Sequence, residues 1–118
     1  MIFAAITFRK DGLADARACA LWLTQSLRDF PCDRFDEAPM AEDWGQAVRV
    51  WIDDHACLLG CAAVEEGWRV IIADNLMRGV LAEARARRGA ALAHLSSHIE
   101  SFLRANAEVL EVERELDA

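Results

Sequence analysis

Ala47-Val-Arg-Val-Trp-Ile-Asp53, Ala56-Cys-Leu-Leu-Gly-Cys-Ala-Ala-Val64 and Trp68-Arg-Val-Ile-Ile-Ala73 follow one another with only Asp54-His55 and Glu65-Glu66-Gly67 between them. In the first, Val48, Val50 and Ile52 alternate with Arg49, Trp51 and Asp53, the period of two that gives a strand one buried face. The second has no ionisable side chain apart from its cysteines, which fits a central strand covered at least in part on both faces. In the third, Trp68, Val70 and Ile72 alternate with Arg69, Ile71 and Ala73. Gaps this short, rich in acids and glycine, admit turns and nothing longer, so the three segments predict an antiparallel meander.

On the N-terminal side, Asp29 to Asp43 holds six acids (Asp29, Asp33, Asp36, Glu37, Glu42, Asp43), one arginine and both prolines, Pro31 and Pro39, and reads as loop. Before it, Ala16, Cys19, Ala20, Leu23, Leu27 and Phe30 keep the three-and-four spacing of one helical face from Asp15 until Pro31 stops it. Leu21 and Trp22 fall off that stripe, so each either touches a second layer or stays partly exposed. Ile2, Phe3, Ile6 and Phe8 suit a first strand, with helix as the competing reading, closed by the Asp11-Gly12 turn. On the C-terminal side, Leu76 to Arg88 reads as helix and Gly89 is expected to break or kink it. From Ala90, Leu92, Leu95, Ile99, Phe102 and Leu103 form a second stripe. Val109 to Leu116 alternates again and predicts a terminal strand. The order β-α-β-β-β-α-β specifies one α+β domain over residues 1–118, a two-layer sandwich in which helices pack on one face of a mostly antiparallel sheet of about five strands.

The composition allows such a core. Of 118 residues, 54% are hydrophobic and 28% charged, enough apolar surface to offset the entropy of ordering the chain. Thirteen basic against twenty acidic side chains leave a net charge of -7, which opposes nucleic acid and anionic membranes and suits a basic protein partner. No apolar run approaches the roughly 18 to 20 residues that span a bilayer. The apolar start, followed at once by Arg9, Lys10 and Asp11, reverses the order of a signal peptide. These features, with four cysteines read as reduced thiols, point to the cytoplasm.

Asp43-Trp44-Gly45, Val50-Trp51-Ile52-Asp53, Leu59-Gly60-Cys61 and Gly67-Trp68 together resemble small uncharacterised bacterial proteins with an acidic lead-in, a tryptophan-rich meander, a long helix and a final strand, over roughly residues 30 to 115. This resemblance implies the fold and carries no activity. In size, acidity and architecture the chain is also similar, more loosely, to bacterial immunity proteins that neutralise a cognate toxin. That similarity implies a protein inhibitor, although fold alone does not grant function.

Residue sets for catalysis or metal binding are sparse. His94 and His98, four apart on a helix, could put two imidazoles on one side, but His94 points away from the apolar stripe, His98 sits at its edge, and a third ligand is missing. Two solvated histidines is the plainer reading. Cys57 and Cys61 share a strand face about 13 Å apart, too far for one metal; packing explains them better than a redox pair with Cys19 or Cys32, since no Cys-x-x-Cys is present. Ser96, Ser97 and His98 diverge around a helix axis and form no nucleophile elbow. The six glycines make no phosphate-binding motif. No cofactor, metal or catalytic residue is therefore expected.

The acids remain. Glu111, Glu113 and Glu115 project from one face of the last strand, and Asp53, Asp54, Glu65 and Glu66 sit at turns. Their plainer role is solubility and edge protection. Their functional role would be a surface complementary to a basic partner, with Trp44 and the outward-facing Trp51 as buried anchors. Arg78, Arg85, Arg87 and Arg88 form a local basic patch without a recognition-helix pattern. The expectation is a non-enzymatic, cytosolic immunity-type inhibitor of a basic toxin, contacting it through Trp44, Trp51, Asp53, Asp54, Glu111, Glu113 and Glu115. A phage-encoded inhibitor of a host defence complex would read the same, and a small metal-binding protein centred on His94 and His98 is the alternative of another class. Whether the last strand pairs with another copy stays open.

Overall fold

The computed structural model describes residues 2–74 and 82–117. Strand β1 (Ile2–Arg9) is followed by helix α1 (Ala16–Thr24), a 3-10 turn (Gln25–Asp29), β2 (Arg34–Phe35), β3 (Met40–Glu42), β4 (Gly45–Ile52), β5 (His55–Val64), β6 (Gly67–Asp74), α2 (Ala82–Ala105) and β7 (Leu110–Asp117). All seven strands join one antiparallel sheet in the order β2-β4-β5-β6-β1-β7, with β3 also pairing to β4. The α+β class and the antiparallel sheet agree with the sequence. The strand count is seven, not about five, because β2 and β3 lie within the acidic segment read as loop. At two and three residues they are too short to show a period of two, and they exist because the outer edge of β4 offers them backbone partners.

The predicted alternation holds along the meander. Val48, Val50, Ile52, Cys57, Leu59, Cys61, Trp68, Val70 and Ile72, with Ile6 and Phe8 of β1, form one buried cluster with the helices. From α1 and the turn after it come Cys19, Ala20, Leu23, Leu27 and Phe30; from α2 come Ala91, Leu92, Leu95, Ile99 and Leu103. Both helices thus share one core against one sheet face. Trp22, off the helical stripe, reaches the second layer: it packs between Phe8 and Phe102, ring centroids 5.8 and 5.2 Å away, with Lys10 over its face.

Two further expectations are corrected. The first helix does not run evenly to Phe30. Asp15 caps it by accepting from the Ala18 N–H at 2.8 Å, but after Thr24 the path tightens to 3-10 geometry. The hydroxyls of Thr24 and Ser26 donate back to the carbonyls of Leu21 and Leu23, a competition with the backbone that favours the tighter turn. Gly89 does not end α2, which continues through it. An interior glycine costs a helix about 1 kcal/mol, whereas each buried leucine or isoleucine on the turns that follow is worth about 1.5–3 kcal/mol. The stretch from Leu76 to Leu81, also read as helix, lies outside the described residues.

Candidate docking surface

Because Val48, Val50 and Ile52 face the helices, Arg49 and Trp51 face the other way. Register extends this second face across the sheet: Ala47 pairs with Gly60, Gly60 with Ile71, Arg49 with Leu58, Ala62 with Arg69, Arg69 with Thr7, and Thr7 with Glu113. Among the described residues no helix covers it. The two aromatic residues there are held in different ways. Trp51 is half-buried, with the Arg34 guanidinium 4.1 Å and the Arg49 guanidinium 5.0 Å from its ring centroid. Trp44 occupies the two-residue connection between β3 and β4 and leans over Gly60, where a Cβ would come within 2.5 Å of its ring. The glycine in the central strand therefore makes the seat on which Trp44 lies, while 43% of that residue remains exposed.

Asp53 and Asp54, expected as partner contacts, have a local task. Both adopt the left-handed region, at φ 49° and 66°, in the two-residue connection between Ile52 and His55. Two positive φ values in succession match the twist of a hairpin, and short polar residues tolerate them best after glycine. The Asp33 carboxylate accepts the Asp54 N–H at 3.0 Å. Asp36 does more. Its carboxylate accepts the Arg49 backbone N–H at 3.0 Å and pairs with the Arg49 guanidinium at 2.9 Å, while its own N–H donates to the Arg49 carbonyl. Burial pushes the Asp36 carboxyl up, but the Arg49 side-chain and backbone hydrogen bonds and the charges of Arg49 and Arg34 bring it below the ordinary aspartate value. Asp33 and Asp36 thus serve the sheet edge, a role that sequence reasoning missed. The signal for it was the lone Phe35 between Arg34 and Asp36, the only large apolar side chain between Pro31 and Pro39 and one that packs against the core.

The three glutamates of β7 stand on the far side of the sheet, four strand spacings or about 19 Å from β4. Trp51 stands four residues, about 13 Å, along β4 from Ala47, the register partner of the Gly60 that Trp44 overlies. The predicted residues therefore make no single patch. They mark the margins of one broad face. Glu111 and Glu115 coincide with the two places where β7 gains a residue over β1, and each reaches an arginine: Glu111 to Arg9 at 3.2 Å and Glu115 to Arg69 at 3.0 Å. Glu113 pairs in register with Thr7 and is exposed.

The other candidate groups resolve into packing. His94 and His98 both lie against Phe30, centroids 5.2 and 4.8 Å away, and His98 Nε2 meets the Ser26 carbonyl at 2.7 Å. His94 is exposed, as a solvated histidine would be, while His98 is half-buried and ties α2 to the 3-10 turn. Among the described residues no three His, Cys, Asp or Glu side chains converge as a metal site would need. All four cysteines are free thiols. Cys61 lies beside Cys19, and that hydrogen bond, followed by burial, pushes the Cys19 thiol far up. Burial first, then the Asp74 charge, raises Cys57 to about 11 against the opposing pull of Arg88. Burial and Asp33 raise Cys32. Thiols shifted this way are poor nucleophiles at neutral pH. Of the basic patch, Arg78 and the side chains of Arg85 and Arg87 lie outside the described residues. Arg88 turns inward, where its guanidinium meets Asp74 at 3.2 Å with both side chains 8% exposed. None of the described helices is long and apolar enough to cross a membrane. No protein-family model, curated protein or solved structure matches the chain.

Proposed function

We propose that this is a non-enzymatic, cytosolic binding protein of the immunity type, which docks the sheet face that no described helix covers on a partner with a basic surface, such as a toxin, and occludes it. The observation that carries this reading is the pair of tryptophans on a face no described helix covers, Trp51 with its ring against two guanidinium groups and Trp44 seated on Gly60. Tryptophan and arginine are the residues that most often dominate binding energy, and a ring already fixed by its neighbours loses little entropy on docking. Net charge and the marginal acids Glu113, Asp53 and Asp54 would speed encounter with a basic protein. Occlusion requires no chemistry from this chain, only complementarity.

The test is capture of the partner from the native cell, followed by affinity measurement with Trp51→Ala and Trp44→Ala. Loss of about 30-fold in affinity at either position, the hot-spot range, together with inhibition of the partner's activity by the unaltered protein, is the expected result. Binding indifferent to both substitutions would place the contact elsewhere.

A further inference from the structure

The outer side of β7 is the one long stretch of strand backbone in the described structure that pairs with nothing: β1 occupies its inner side, and β7 ends the sheet order. An unpaired row of N–H and C=O groups is a template for another extended chain. Charge identifies which chain. In an antiparallel pairing of β7 with a second copy centred on Glu113, Glu113 would face Glu113 and Glu111 would face Glu115. In a parallel, in-register pairing every glutamate would face its own copy. Like charges directly opposite destabilise a sheet, so the edge rejects itself.

An extended segment with lysine or arginine at alternate positions meets the opposite situation. Glu113 has no ion-pair partner among the described residues, and Glu111 and Glu115 meet one arginine each while remaining exposed themselves, so that a second cation could share either carboxylate. Arg114 points to the helix side, where it binds Glu100 at 3.0 Å, so it does not oppose a cation on the glutamate side. Leu110, 57% exposed at the start of the strand and opposite Arg9 on the same side as Glu113, offers an apolar contact to the aliphatic stem of a lysine. The extra residues at Glu111 and Glu115 confine regular geometry to the stretch between them, which limits pairing to a short register.

We infer that β7 accepts a short, basic, extended segment of the partner by strand addition, which sets the partner's register while the tryptophan face supplies the buried area. The inference rests on the reading of the protein as a partner-binding module and adds the chemistry of the segment bound. Its test uses the full chain with a short peptide of alternating lysine and valine, the same sequence N-methylated along one edge so that charge is kept and backbone donors are lost, and an alternating glutamate and valine peptide. Amide hydrogen exchange and titration at low salt are the readouts. The lysine peptide should slow exchange in residues 110–117, the N-methylated peptide should bind about tenfold more weakly, and the glutamate peptide should not bind. Glu113→Lys should weaken the lysine peptide about tenfold, and Glu113→Gln, which leaves the fold least disturbed, by about threefold. Equal binding of the N-methylated peptide, protection at β4 instead of β7, or no binding of the lysine peptide would each overturn strand addition. If the lysine peptide fails while the captured partner still depends on Trp51, strand addition alone is lost. If the partner ignores both tryptophans while the peptide still protects β7, the tryptophan face alone is lost.

Discussion

At the β4 edge, Asp36 takes the Arg49 N–H, gives its own N–H to the Arg49 carbonyl and holds the Arg49 guanidinium, while β2 and β3 pair with the strand on either side. At the β7 edge, nothing described meets the outer backbone, and what stands there is a row of glutamates. Both edges are acidic, yet the acids act differently. The aspartates of the first satisfy the backbone of their own sheet, whereas the glutamates of the second leave the backbone open and determine what may approach it. Acidity in the sequence is therefore one signal with two physical meanings, separated only by whether a backbone donor lies within reach of the carboxylate.

The largest effect should come from neither edge, and it sets the scale for both. The Asp74–Arg88 pair lies buried between the end of β6 and α2, with Asp74 Oδ1 meeting no hydrogen-bond partner among the described residues. Removing one member strands the other, so Arg88→Met or Asp74→Ala alone should cost about 3–5 kcal/mol in urea unfolding, and the double substitution should cost less than either. Additive losses would mean that the two charges do not depend on each other.

Next comes the sealed edge. Asp36→Ala leaves the Arg49 N–H without its acceptor and should cost about 1–2 kcal/mol, with faster exchange of amides in β2 and the middle of β4. The pH dependence has a definite sign. A carboxyl whose folded pKa is lowered stabilises the protein above its unfolded value, near 3.9 for aspartate, and that contribution disappears as pH falls through the lower folded value. Asp36 should therefore tighten its edge at neutral pH and release it in acid. Glu100 behaves in the same direction, held low first by the Arg104 and then by the Arg114 hydrogen bond against the opposing effect of burial. Acid exchange profiles of the wild type and Asp36→Ala should converge at the lowest pH. A gap that persists there would rule out the ionised carboxylate as the seal.

At the open edge, replacing Glu111, Glu113 and Glu115 together with glutamine removes the repulsion between copies and only two exposed ion pairs, each worth about 0–1 kcal/mol. Stability should fall by about 1 kcal/mol, while light scattering or sedimentation should reveal self-association absent from the wild type. The same triple change made at Glu37, Glu42 and Asp43 should leave the protein as dispersed as before, because that edge is already paired.

What the sequence revealed and what it hid divide along this line. The meander was legible because Val48, Val50 and Ile52 alternate within one strand, and a period of two needs no knowledge of the rest of the chain. The outward position of Trp51 followed from the same alternation. The seal was not legible, because Asp36 acts on Arg49 from thirteen residues away and two-residue strands have no period. The helix continuing through Gly89 was misread for a related reason: local propensity was visible in the sequence, but the core contacts of Leu92, Leu95 and Ile99 that outweigh it were not. The histidines illustrate the limit for the site, since their spacing was visible and the Phe30 ring they clasp was not placed beside them by any local pattern.

The smallest effect isolates the backbone of the open edge from its charge. Glu111 sits at φ 53°, in the left-handed region, where a side chain costs about 1 kcal/mol that glycine avoids. Glu111→Gly and Glu111→Ala both delete the exposed bridge to Arg9, so the difference between them measures the backbone alone. Glu111→Gly should be the more stable of the two by about 0.5–1 kcal/mol, and close to the wild type because the lost bridge and the relieved strain offset each other. If the two variants are equally stable, the strand straightens when the glutamate leaves. The left-handed kink would then be imposed by the Arg9 contact, and the irregularity that shortens the pairing register of β7 would be a property of charge, not of chain path.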